Sequence, residues 1–136
     1  MSFFYKLQSV NDNINQEDPK KGLIAMAVSA GTIDLDKLAR SIAERSTFSR
    51  PEIKGILEAM VDETEYFLSL GQNVKLGDLG TFSVSASSRI VKNPSEIRGT
   101  SVKLKRIVHR PSRAMTKRLD SVEWIRVDWN KSGRKG

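Results

Sequence analysis

Residues Val74–Val84 read Val-Lys-Leu-Gly-Asp-Leu-Gly-Thr-Phe-Ser-Val, and this stretch decides the fold. Val74 and Leu76, then Phe82 and Val84, recur every two residues, the period of a strand with one face buried. Gly77 and Gly80 break the run where a tight turn or bulge is expected, because glycine reaches backbone angles that a Cβ forbids. The stretch therefore reads as strand, turn, strand.

Upstream of it the pattern is helical. Asp34 is positioned to cap a first turn, and Leu35, Leu38 and Ile42 follow at steps of three and four, with Ala39 and Ala43 beside them. This helix is expected to stop near Ser46-Thr47. Ser49-Arg50-Pro51-Glu52 is a second start signal, with a capping Ser, Pro in the first turn and Glu three residues on. Behind it Ile53, Ile56, Leu57, Met60, Val61, Thr64, Phe67 and Leu68 form one apolar stripe that ends at Gly71. The short first helix is too small to cover that stripe. A second copy of the hairpin would cover it, so the pattern predicts a homodimer with Ile53, Leu57, Met60, Phe67, Leu68 and Phe82 in its core.

Downstream, the segment loses its apolar face after Ser85, and Val102–Val108 resumes a strand pattern. Asn93-Pro94-Ser95 is a turn signal midway between the two basic stretches. The simplest object with these properties is a long hairpin, a β-arm over about residues 85–106, projecting from the body. Pro111-Ser112 begins a short helix with Met115, Leu119 and Val122 inward and Arg113, Lys117 and Arg118 outward. Trp124, Ile125, Val127 and Trp129 suggest a last strand, and Asn130–Gly136 reads as a flexible basic tail.

At the other end Phe3, Tyr5 and Leu7 alternate with Phe4, Lys6 and Gln8, which predicts a strand. Asn11–Lys21 is rich in turn formers. Leu23–Val28 is a returning strand or a helix, since Ala and Met are weak strand formers. The expectation is an α+β fold: an extension over residues 1–30, a domain over 31–123 with helical hairpin, three-stranded sheet, arm and short closing helix, and a strand and tail over 124–136.

Positive charge is concentrated in the arm region. Residues 84–118 hold ten of the 23 Lys and Arg against the single acid Glu96, a net +9, whereas residues 31–83 carry a net −3. Charge gathered this way on otherwise globular sequence is the footprint of a nucleic-acid binder. Arg89, Lys92, Arg98, Lys103, Lys105 and Arg106 fall on the arm as candidate phosphate contacts. Arg110, Arg113 and Lys117 make a second patch where the last helix begins.

The 136-residue chain contains no Cys, which excludes disulfides, cysteine nucleophiles and thiolate metal sites and fits a reducing cytoplasm. Its longest apolar run, Gly22–Gly31, is far shorter than the roughly 20 residues of a spanning helix. The first residues lack the basic start of a secretory signal. No phosphate-cradling glycine loop is present. His109 is the only histidine, with no evident carboxylate partner, so it reads as a packing or phosphate-contacting residue. No catalytic residue, metal ligand, cofactor or small-molecule substrate is therefore expected.

The order of hairpin, glycine-punctuated turn, basic arm and closing helix resembles the HU and integration host factor family of bacterial architectural DNA-binding proteins. Val74, Leu76, Gly77, Gly80, Thr81 and Phe82 match that family's pattern of apolar-x-apolar-Gly-x-x-Gly-Thr-Phe, and the resemblance covers Ile33–Glu123. It implies an intertwined homodimer whose arms follow the minor groove of double-stranded DNA, in the cytoplasm at the nucleoid. In the family a proline near the arm tip wedges into a base step. The local match here is Lys92-Asn93-Pro94, without the family's following Gln-Thr-Gly, so Pro94 reads as turn residue or wedge. The extra N-terminal thirty residues and the tail resemble the extended HU-like proteins of Bacteroides.

The implied function is DNA bending with low sequence specificity. RNA binding is the first alternative, although the arm lacks the aromatic platform that single-stranded RNA recognition uses. A protein scaffold working through the termini, with Phe3, Phe4 and Tyr5 as contacts, is the second.

Overall fold

The computed structural model describes residues 1–11 and 21–127. Along the chain run β1 (Ser2–Asn11), β2 (Lys21–Val28), α1 (Leu35–Glu44), α2 (Arg50–Ser69), β3 (Val74–Lys75), β4 (Thr81–Ser87), β5 (Lys103–Arg110), α3 (Arg113–Asp120) and β6 (Glu123–Arg126). The fold is α+β. Two units emerge: Ile33–Arg118, and Met1–Thr32 together with the segment from Leu119 onward.

In the first unit the capping residues set the helices. The Asp34 carboxylate accepts the Lys37 N–H at 2.9 Å, and the Ser49 hydroxyl accepts the Glu52 N–H at 3.4 Å, satisfying donors that a helix start leaves unpaired. Gly71, at φ +80°, ends α2. Its N–H reaches Leu68 O and that of Gln72 reaches Phe67 O, a Schellman closure. Asp36, in the first turn of α1, ties the hairpin together by pairing with Arg50 of α2, with Arg40 at 3.5 Å and with Lys54 at 3.9 Å.

β3, β4 and β5 form an antiparallel sheet in that order. The turn between β3 and β4 is a short 3-10 helix at Gly77–Leu79, with Gly77 at φ +54° and Gly80 at φ +108°. A Cβ on Gly80 would lie 2.0 Å from the Arg110 carbonyl oxygen, so only glycine lets β5 pass this closely.

The expected arm over residues 85–106 is not a long ladder. Pairing stops at Ser87 and Lys103, and residues 88–102 instead hold two 3-10 turns, Pro94–Glu96 and Gly99–Ser101. The reason is local. Pro94 has no N–H to give a ladder, the Glu96 N–H closes back on Asn93 O, and the Ser101 hydroxyl takes the Arg98 N–H.

The second unit is a sheet in the order β2-β1-β6. β1 and β2 pair antiparallel without interruption from Phe4↔Val28 to Asn11↔Lys21. Leu23–Val28 is thus strand, the β partner outweighing the weak propensity of Ala and Met. β6 lies parallel to β1, Ser2 to Tyr5 opposite Glu123 to Arg126. Trp124 is held there by Phe3, with ring centroids 4.8 Å apart, and Tyr5, at 6.5 Å. The loop expected within Asn11–Lys21, Trp129 and the basic tail lie outside the described residues. Val122, expected on the inward face of the last helix, lies beyond its end.

Among the described residues only Ala39 and Ile53 are buried apolar side chains. Ile53, expected in a dimer core, is enclosed within the single chain where α1 meets α2. Leu57, Met60, Leu68 and Phe82 are half-buried and Phe67 is 41% exposed. An apolar groove of about 640 Å³ runs between α2 and the sheet, lined by Val61, Thr64, Leu68, Phe82, Val84, Leu104 and Ile107.

Candidate nucleic-acid interface

The sheet of the first unit has two unlike faces, and the pairing register sorts them. Phe82, Val84, Leu104 and Ile107 turn to the groove beside α2. The opposite face carries Lys75, Thr81 and Arg110 side by side across three strands, then Ser83, Ser85 and Ser87 on β4 opposite Val108, Arg106 and Lys103 on β5. A β-bulge makes this sorting possible. The register steps from Ser85↔Arg106 to Ala86↔Leu104 and leaves Lys105 without a partner. Without the extra residue, Leu104 and Ile107, three apart, would point to opposite faces. Arg106 and Lys103 thereby share the polar face, and Lys105 marks the bend.

At the foot of this face lies a polar cleft of about 630 Å³ lined by Asn73, Lys75, Thr81, Ser83, Arg110, Ser112 and Arg113. Ser112 caps α3, accepting the Met115 N–H at 3.1 Å. Lys117 follows Arg113 by four residues and shares its side of α3. Three cations and four neutral hydrogen-bonding side chains in one cleft, with no carboxylate among its lining, suit a phosphate or a similar anion.

Arg89, Lys92, Asn93, Pro94 and Arg98 all fall on the 88–102 segment, exposed. Its turns hold it in shape, helped by the Arg89 guanidinium, which donates to Glu96 O at 3.4 Å. Pro94 occupies the first position of a 3-10 turn. Within 4 Å, none of Arg89, Lys92, Arg98, Lys103, Lys105, Arg106, Arg110, Arg113 and Lys117 pairs with a described carboxylate. Arg118 does, reaching Asp78 at 3.0 Å, which ties α3 to the Gly77–Leu79 turn.

Reading the sequence left out Asn73, Lys75, Thr81, Ser83 and Ser112. Lys75 was within reach, since it alternates with the buried-side Val74 and Leu76. The hydroxyls carry no charge signal and emerge only from the register. His109 is a packing residue: its Nε2–H donates to Leu79 O at 2.7 Å and its ring lies 4.8 Å from that of Phe82. Among the described residues no group of three or more His, Asp or Glu stands close enough to hold a metal ion. No helix there is long and apolar enough to cross a membrane.

A family described as an HU domain fused to a wHTH, Ig or glycine-rich motif, HU-HIG, matches residues 1–126. The chain belongs to that family. The chain is also similar to an integration host factor subunit alpha from Paramagnetospirillum magneticum, strain ATCC 700264 / AMB-1. The two are 33% identical over 91 residues, 65% of this chain and 86% of the relative. Among solved structures this HU-HIG chain is similar to one described as a bacterial DNA-binding protein from Bacteroides vulgatus ATCC 8482. That match has a TM-score of 0.61 at 14% identity and covers 91% of this chain. The HU-HIG chain spans about half the length of that protein, 48% of it, and at this identity the likeness speaks for the fold.

Proposed function

We propose that the protein is an architectural DNA-binding protein that works as a homodimer and bends duplex DNA with little sequence preference. The observation that carries this reading is the polar sheet face, where Lys75, Arg110, Arg106 and Lys103 share one side with serine and threonine hydroxyls, interrupted on β5 by Val108 alone, with no described carboxylate paired to them. Such a face neutralises phosphates and positions the protein without reading bases. Arg113 and Lys117 extend it onto α3. Arg89, Lys92 and Arg98 extend it onto the 88–102 segment, where Asn93 and Pro94 sit with few side chains able to read base edges. Discrimination would then come from groove width and deformability. Family membership and the integration host factor relative support the same reading, and with it a place at the nucleoid in the cytoplasm.

The homodimer follows from exposed apolar surface. Val61, Val84, Leu104 and Ile107 are 49, 46, 64 and 59% exposed around the groove beside α2, and a second copy covers them. Each is about half exposed, so covering it contributes about half of the roughly 1.5–3 kcal/mol that full burial gives.

The test pairs two measurements on the full chain. Competition between labelled duplex and unlabelled duplex, single-stranded DNA or RNA of equal length is expected to favour duplex. Ring closure of short linear duplexes is expected to rise with added protein. Preference for single strands, or binding without any gain in ring closure, overturns the reading.

A further inference from the structure

We propose that β2 is a self-pairing edge, through which two copies of the chain join antiparallel about a two-fold axis into one six-stranded sheet. This interface is separate from the groove beside α2. It would link protomers, or dimers already formed, into larger assemblies.

β2 is the outermost strand of its sheet, and its inner edge is bonded to β1 along eight residue pairs. Among the described residues nothing hydrogen-bonds its outer edge. Proteins shield such edges with charges, prolines, bulges or very short strands. Beyond Lys21 at its first position, β2 has none of these. Its register is unbroken, and the twelve residues Gly22–Ile33 form the longest run in the chain without a charge, and hold no proline either. Leu23, Ile24 and Met26 on it are 63, 46 and 39% exposed. The open N–H and C=O groups call for another strand, and the apolar side chains call for an uncharged one.

Charge selects the second copy and the orientation. At a net +7, two copies repel wherever their charges meet, and β2 is where charge is missing. Antiparallel pairing sets the two Lys21 positions more than about 20 Å apart at a rise of roughly 3.4 Å per residue. That exceeds the screening length of about 8–10 Å in physiological salt, whereas parallel pairing would place them side by side. The sequence Gly22–Val28 is also complementary to its own reverse. With Ala25 on the axis, Ile24 faces Met26 of the second copy, Leu23 faces Ala27 and Gly22 faces Val28, so each bulky side chain meets a small or pliable one.

The chain has no Cys, so a single introduced thiol is unique. Under mild oxidation, full-length Ala25→Cys is expected to form a disulfide with its own copy, the on-axis Cα separation falling within about 4.4–6.8 Å. Ser9→Cys, on the inner strand β1, is the control and is expected to stay reduced. In sedimentation, Met26→Lys, at an exposed position, is expected to lower the mass of the largest species by a factor of two or more relative to wild type. Ala25→Pro is expected to do the same. Ala25→Cys remaining unlinked, or wild type and Met26→Lys sedimenting alike, overturns the proposal.

Discussion

Gly80 is where backbone geometry and the candidate interface meet. Its φ of +108° and the 2.0 Å gap that a Cβ would leave to Arg110 O make alanine costly twice over. Gly80→Ala is expected to lose at least about 2 kcal/mol of stability in urea unfolding, from backbone strain and from displacement of β5. His109 braces the same turn from the other side through Leu79 O and the Phe82 ring. His109→Phe keeps the ring and drops the hydrogen bond, so its expected cost is smaller, about 1 kcal/mol by the same measurement. Arg110 lies next to both and faces the cleft. Arg110→Ala is expected to weaken binding to all duplex sequences alike and to flatten the salt slope by about one unit per contact, or about two per dimer.

At the scale of elements, the helices were the most legible part of the chain, because their ends are written in short-range chemistry. Asp34, Ser49 with Pro51, and Gly71 each act within a few residues of themselves, and the structure starts or stops a helix at each. The strand-turn-strand at Val74–Val84 was legible for the same reason. What escaped depends on distant partners or on one extra residue. The bulge at Lys105 is set by how β4 and β5 pair, and no local pattern announces it. The parallel pairing of β6 with β1 joins the two ends of the chain, which a reading along the sequence keeps apart. The basic stretches around Pro94 alternate well enough to suggest strands, yet Ser101, Gly99 and Pro94 satisfy the backbone locally. Because those turns are self-contained and their side chains lie largely exposed, deleting Lys92–Arg98 is expected to leave the circular dichroism spectrum and the sedimenting mass unchanged while lowering duplex affinity. Loss of the fold on that deletion would show that the segment supports the body.

At the scale of the molecule, a single chain buries little, with two buried apolar side chains among the described residues and an apolar groove beside α2, which is what the proposed homodimer would cover. A charge placed on the apolar stripe of α2 should keep two copies apart. Phe67→Asp is expected to cost several kcal/mol of dimer stability and to yield monomer or unfolded chain in sedimentation at micromolar concentration. A dimer that persists in the variant would move the interface elsewhere. The proposed dimer would also double the polar face: Lys75, Arg110, Arg106 and Lys103 from each protomer would make eight cations for one duplex. If each neutralises a phosphate, log K falls with log salt by about 0.9 per contact, a slope near roughly −7 before α3 and the 88–102 segment are counted. The decisive measurement is therefore the duplex binding constant of the full-length protein across a series of salt concentrations. The account predicts a straight, steep decline of that order, the same for unrelated duplex sequences. A flat response, or a steep one confined to a single sequence, would contradict it.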